Sequence, residues 1–270
     1  MNPESYHSLV LSVDDGVALV KLNRPATLNA FDRTLAFELL RVAEEIHAAD
    51  EVRAVVLTGA GRGFCSGVDI KETAFLGSDP TVNPFQRDRL DALGYTGRLP
   101  LAWYEIDKPT IAAVNGVAAG GGFALSLVCD IRLAAESARF YPMFIQRGTS
   151  PEVATSWTLP RLIGTARAFE WLYTGDPISG SEAAAIGLVN RTVPDDRLLD
   201  EAFAVARKIA EGPPLALRLT RRTIQHGLTR SLREHLPYET HNLGLSIATE
   251  DAREGARAIV EKRRPTFTGR

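Results

Sequence analysis

Three stretches carry groups that could do chemistry. One is "QRGTSPEVATSW" (146–157), whose single carboxylate, Glu152, is a candidate proton carrier. The same stretch also suits a structural role. Ser150 is a good N-cap, Pro151 favours a first helical position, and an acid beside them complements a helix dipole. It therefore predicts a helix opening at Ser150–Pro151 with Glu152 in its first turn. The other two stretches are glycine-rich, "TGAGRGFCSGVDIKE" (58–72) and "NGVAAGGGFALSLVCD" (115–130). Neither is a dinucleotide or nucleotide-phosphate loop. Phe64 stands where the third glycine of G-x-G-x-x-G would fall, and no G-x-x-x-x-G-K-[ST] occurs. Gly67-Val68-Asp69 and Gly120-Gly121-Gly122 each predict a helix N-terminus with exposed backbone N–H groups. If two such ends converge, they aim two amides at one oxygen and stabilise an enolate or tetrahedral oxyanion. Tight turning and close backbone packing would account for the glycines equally well.

Positioning these groups takes a scaffold, and the sequence predicts one. "GVALVKLN" (16–23), "RAVVLTG" (53–59), "TIAAVNG" (110–116) and "CDIRLAAE" (129–136) are short apolar strands, most of a kind covered on both faces. Residues 33–49 place Leu35, Leu39, Val42 and Ile46 on one helical face. Strand alternating with helix predicts an α/β fold with a mostly parallel sheet. From Asp195 the pattern is helical nearly throughout, with breaks at Gly212-Pro213-Pro214 and near Pro237. The chain thus divides into an α/β core over 1–194 and a helical C-terminal region over 195–270. "FLGSDPTVNPFQRD" (75–88) is rich in turn residues and reads as a loop.

Composition narrows the function. The 270 residues are 45% hydrophobic and 24% charged with net charge −2, so no basic excess points to nucleic acid or an anionic membrane. Two cysteines, Cys65 and Cys129, and no Cys/His cluster at zinc spacing fit a reducing cytoplasm with no metal site. No secretory leader pattern and no apolar run of membrane-spanning length is present. Cys65 is a weak nucleophile candidate without a histidine in its motif. Asp69 reads foremost as a helix cap. Tyr95, Tyr104 and Tyr141 are candidate proton donors. The five histidines (His7, His47, His226, His235, His241) lie outside the motifs and read as mostly surface.

Five segments in order resemble the crotonase family, also called the enoyl-CoA hydratase/isomerase family. They are "LNRPATLNAFD" (22–32), "GRGFCSGVDIKE" (61–72), "KPTIAAVNGVAAGGGFALSLVCDIRLAAESARF" (108–140), "LPRLIGTARAFEWLYTGDPISGSEAAAIGLVN" (159–190) and "GARAIVEKRRPTFTG" (255–269). The resemblance implies a ββα spiral core with a helical C-terminal region that trimerises and completes the acyl-CoA site. It implies a homotrimer or a dimer of trimers. The substrate it implies is an acyl-CoA thioester, with coenzyme A arriving as part of that substrate and no permanent cofactor. By the match, the amides of Val68 and Gly121 hold the thioester oxygen. Arg24, Ala26, Ser66, Gly67, Asp69 and Ile70 lie near coenzyme A, and Lys262 belongs to a segment that reaches toward a neighbouring subunit's coenzyme A.

Typical hydratases of that family use two glutamates, and this sequence has Ala124 and Phe144 at those positions. Addition of water needs a base for the water and an acid for the α-carbon, and neither side chain supplies them. Glu152, four residues after Gly148, instead resembles the aspartate of the family's dienoyl-CoA isomerases and the nucleophilic aspartate of its aromatic acyl-CoA dehalogenases. Gly97 stands where the dehalogenases carry a histidine. A lone carboxylate predicts isomerisation, with Ala124, Phe144 and Trp157 lining the substrate pocket. The alternatives are hydrolysis, carbon–carbon cleavage, dehalogenase-like chemistry, weak hydration, or acyl-CoA binding without catalysis.

Overall fold

The computed structural model describes residues 5–69 and 92–270. β1 (Leu9–Asp14) and β2 (Val17–Leu22) form a hairpin, and α1 (Arg33–Ala48) follows. The Asp32 side chain caps α1 by accepting from the Leu35 N–H, and Leu35, Leu39, Val42 and Ile46 are its buried face, as the periodicity predicts.

Strand pairs then repeat. β3 (Ala54–Gly59) is followed by β4 (Gly63–Cys65), β5 (Thr110–Val114) by β6 (Val117–Ala119), and β7 (Ile131–Ala135) by β8 (Arg139–Tyr141). In each pair the first strand joins one sheet and the second joins another. The larger sheet has the order β1-β2-β3-β5-β7-β10, with β10 at Arg191–Val193, and the smaller has β4-β6-β8-β9, with β9 at Ile178–Ser179. Apart from β1–β2 and β8–β9, the pairings are parallel. The all-apolar strands at 54–59 and 110–114 are buried along their whole length, so the sheet is covered on both faces.

The helices between strands are α2 (Gly94–Tyr104), α3 (Gly121–Leu127), α4 (Thr155–Ile163), α5 (Thr165–Thr174) and α6 (Gly180–Ala185). The C-terminal region holds α7 (Leu198–Ala210), α8 (Pro214–Gly227), α9 (Leu232–Ile247) and α10 (Glu250–Glu261). α7 packs across β2, β3, β5 and β7, so it belongs to the core. Among the described residues, no helix is long and apolar enough to cross a membrane.

Two local expectations differ from the structure. Pro237 lies inside α9 rather than ending a helix. The interruption falls at 228–231, because Ser231 and Glu234 form a reciprocal capping box that starts α9 at Leu232. Pro237 then lies in the second turn, where its missing N–H removes one intrahelical bond. The second difference concerns Glu152. Its helix, α4, opens at Thr155, not at Ser150–Pro151.

Charge docks the C-terminal helices on the core. The buried Arg221 of α8 donates from Nε to both Asp130 oxygens at 2.9 and 3.0 Å and from Nη1 to the Tyr104 carbonyl at 2.7 Å. Asp130 also accepts from the Thr110 N–H and hydroxyl, at the start of β5. Replacing Asp130 with Ala leaves a buried guanidinium without its carboxylate. We expect a loss of about 3 kcal/mol in urea unfolding, read as a lowered midpoint with an unchanged slope.

Candidate active site

The two glycine loops converge. β4 and β6 lie side by side in parallel, with Gly63 opposite Val117 and Cys65 opposite Ala118, so the chain leaves both strands at neighbouring points. A methyl group added to Gly67 would sit 3.2 Å from the Gly121 nitrogen and 2.8 Å from the Ala119 carbonyl. One added to Gly122 would meet the Cys65 carbonyl at 2.2 Å. Only hydrogen fits between these backbones, and Gly67 also holds φ +88°, a region that side chains disfavour.

Their amides are aimed by local pairing. Val68 forms a parallel bridge with Phe31. The Phe31 N–H donates to the Gly67 carbonyl at 2.7 Å, and the Asp69 N–H donates to the Phe31 carbonyl at 2.9 Å. Alternate residues of extended chain point their polar groups to opposite sides. The Val68 N–H therefore faces away from Phe31. Gly121 is the first residue of α3, preceded by Gly120 at φ 48°, ψ −120°. A first-turn N–H has no intrahelical acceptor, and the helix dipole favours negative charge in front of it. The N–H groups of Val68 and Gly121 thus lie on two loops that meet, the placement an oxyanion hole would require.

Glu152 is tied to the same region by the residue that follows it. Its neighbour Val153 is buried, and a methyl group on Gly121 would lie 3.9 Å from Val153 Cγ2. The Glu152 carbonyl accepts from the Thr155 N–H at 3.0 Å and the Thr155 hydroxyl at 2.7 Å. Its side chain is half-buried, and burial pushes the carboxyl above its ordinary value while the Arg147 charge opposes that shift. Glu152 does not sit in the first turn of a helix. Val153 and Ala154 follow it with φ 51° and 58°, both left-handed, and Ala154 is the N-cap of α4. For a β-branched residue such as Val153 this is a true outlier, of the kind that persists where surrounding packing imposes it.

The remaining candidates sort clearly. Tyr95 packs against the core with its hydroxyl buried. Burial pushes its phenol well above the usual value, and the Glu152 carboxylate pushes the same way, which puts the two groups in one neighbourhood. Cys65 is fully buried, and burial pushes its thiol up to about 12, so it stays protonated and inert. Ala124 is buried in α3. Phe144 and Trp157 line different cavities rather than one wall. Phe144 faces a space of about 390 Å³ with Pro151, Phe169, Leu172 and Tyr173, and Trp157 faces one of about 340 Å³ with Pro100, Tyr104, Val128 and Ala154.

Ala26 lies in an exposed turn, and the Ser66 hydroxyl donates to the Thr27 carbonyl at 3.0 Å. Asp69, expected as a cap, pairs with Arg24 at 3.7 Å, and Arg24 also pairs with Asp32 at 3.1 Å. Lys262 is exposed, in left-handed conformation, at the end of α10. Ile70 and the stretch 75–88 include residues outside those described. Of the histidines, His226 and His235 pair on α8 and α9, with their Nδ1 atoms 3.1 Å apart. No group of three or more metal-ligating side chains occurs among the described residues.

Sequence reasoning missed Phe31, Asn29 and Val153. Asn29 is fully buried, and its Nδ2 donates to the carbonyls of Ala60 at 2.9 Å and Gly63 at 2.8 Å, tying the 22–32 segment to the loop before the hole. All three act through long-range backbone contacts, which leave no local periodicity to read.

Comparison with known proteins adds independent findings. The family model described as enoyl-CoA hydratase/isomerase matches residues 12–270. A Mycobacterium tuberculosis protein named "Probable enoyl-CoA hydratase echA8" is 36% identical over 98% of this chain and 100% of its own. The Escherichia coli 1,2-epoxyphenylacetyl-CoA isomerase is 36% identical over 96% of this chain and 97% of its own. The crystal structure of an enoyl-CoA hydratase from Bacillus anthracis superposes with a TM-score of 0.89 at 34% identity, covering 98% of this chain and 100% of that one.

The strained turn after Glu152 is directly testable. Glycine at position 154 removes the left-handed penalty at the cost of some unfolded-state entropy. Ala154→Gly is expected to stabilise the protein by about 1 kcal/mol, seen as a raised denaturation midpoint.

Proposed function

The chain belongs to the enoyl-CoA hydratase/isomerase family, and we propose that within it the protein is an isomerase of an acyl-CoA thioester, with Glu152 carrying the proton. The observation that carries this reading is the half-buried Glu152, whose chain neighbour Val153 packs toward Gly121, together with Ala124 and Phe144 where typical hydratases of the family carry glutamates. The 36% identical relative named 1,2-epoxyphenylacetyl-CoA isomerase supports the same reaction class.

The chemistry balances with one carboxylate. Ionised Glu152 removes a proton from a carbon in conjugation with the thioester. The C–H electron pair moves through the carbon framework onto the carbonyl oxygen. The N–H groups of Val68 and Gly121 hold the resulting enolate oxygen, in a site where preorganised donors are worth more than in water. Collapse of the enolate takes the same proton back from Glu152 at a different carbon. The double bond has moved, and no water or external redox partner is consumed. Hydration, the activity named for many relatives, would need a second acid/base group. Coenzyme A would run past Ala26, Ser66, Gly67 and Asp69, with Ile70 next in the chain. Lys262 would serve a neighbouring subunit.

Assembly is part of the same reading. Leu232, Leu236, Leu243 and Ile247 of α9 and Ile259 and Val260 of α10 are exposed on the single chain. An apolar surface of this kind favours burial against other copies. We place the protein in the cytoplasm as a trimer or a pair of trimers; light scattering should give a mass that is a multiple of three chains, and a monomer or dimer would refute it.

Glu152→Gln should lower kcat about a thousandfold while calorimetric affinity for coenzyme A stays within twofold. Because burial raises the folded pKa, the carboxylate form accumulates only above the ordinary value of about 4.3. The acid limb of kcat/KM should therefore lie above that pH in the parent enzyme and vanish in the variant. Normal turnover by Glu152→Gln on a panel of enoyl-, dienoyl- and aryl-CoA thioesters would remove Glu152 as the base. Absence of turnover by the parent on the whole panel would favour a binding protein.

A further inference from the structure

We infer that Arg24 is a positioning residue for the enolate chemistry proposed above, holding the Val68 loop in place and cancelling the carboxylate next to the oxyanion hole, rather than a coenzyme A phosphate contact. Arg24 follows β2, and its guanidinium is already engaged on three sides. Nη2 lies 3.1 Å from Asp32 Oδ2 and 3.7 Å from Asp69 Oδ2, and Nη1 donates to the Ala30 carbonyl. Its backbone N–H donates to Asn29 Oδ1 at 2.8 Å, so the segment carrying it is fixed to the buried Asn29. The side chains of Arg24, Asp32 and Asp69 are only 20, 15 and 17% exposed, which limits screening by water and salt.

The charges have to be balanced because of where they sit. Asp69 directly follows Val68, whose N–H faces the reacting oxygen. A carboxylate one residue from that donor opposes growth of negative charge on the oxygen. Asp32 is offset by the N-terminus of α1, which it caps through the Leu35 N–H at 2.7 Å. Asp69 is offset by Arg24. The same ion pairs link the end of β2, the start of α1 and the Val68 loop, so Arg24 acts both on the position of the Val68 amide and on the field around it.

The test uses the full chain and the acyl-CoA turned over best by the parent, with exchange of its acidic C–H in D₂O as a second readout. Arg24→Met should lower kcat and exchange about tenfold, less than the loss of a whole oxyanion donor. Coenzyme A affinity by calorimetry should stay within twofold. Arg24→Met combined with Asp69→Asn should recover most of the lost kcat, because the opposing charge is gone; a purely structural or phosphate-binding role predicts no such rescue. Arg24→Lys, which keeps the charge but loses the planar fork, should fall between the parent and Arg24→Met. Should Arg24→Met fail to fold, the milder Arg24→Lys and its combination with Asp69→Asn carry the same comparison. A loss of coenzyme A affinity above tenfold with kcat unchanged overturns the inference and makes Arg24 a phosphate contact. A parent enzyme that neither turns over nor exchanges any acyl-CoA refutes the enolate reading itself, whereas activity that ignores Arg24 refutes this inference alone.

Discussion

The close approach of two backbones is the constraint on which everything else rests. Where β4 and β6 end, Cys65–Gly67 and Ala119–Gly122 touch with only hydrogens between them. That contact requires glycine at two points, Gly67 and Gly122, and it brings together two N–H groups that no side chain supplies. The parallel bridge from Phe31, the glycine-led start of α3 and the ion pairs of Arg24 all serve to hold that contact. The larger sheet gives it rigidity, because β3 and β5, buried along their length, lead directly into β4 and β6.

Glu152 owes its placement to a different source. Its position comes from an irregular turn rather than from a regular element, and its burial comes from the surrounding core. The left-handed pair Val153–Ala154 swings the chain from the carboxylate into α4 in two residues. Strain of this sort costs of order 1–3 kcal/mol per residue and is tolerated where packing over-determines it. The buried Val153 side chain, close to Gly121, is the packing that does so.

Much of this was legible in the residues alone. The apolar strands, the periodic face of α1 and the glycine loops mark a parallel α/β core with two glycine-led loops that meet, because each rests on a pattern short enough to read in one segment. Two readings failed where local preference met tertiary structure. Ser150-Pro151-Glu152 has good helix-start chemistry, yet the chain is pulled into a left-handed turn there and the helix waits until Thr155. Pro237 carries a helix-breaking signal, but a capping box anchored six residues earlier at Ser231 starts α9. The role of Arg24 was hidden for another reason. Its partners lie 8 and 45 positions away, and nothing in "LNRP" states that its charge is already spoken for.

The division between backbone and side chain has an evolutionary corollary. The amides of Val68 and Gly121 belong to the main chain, so point mutation cannot delete them and can only disturb their placement. Positions 124, 144 and 152 hold ordinary side chains, alanine, phenylalanine and glutamate, that substitution can exchange. A lineage built this way keeps its intermediate and changes its outcome. On the proposed reading, exchanging one of those side chains would alter proton transfer while leaving the two main-chain donors in place.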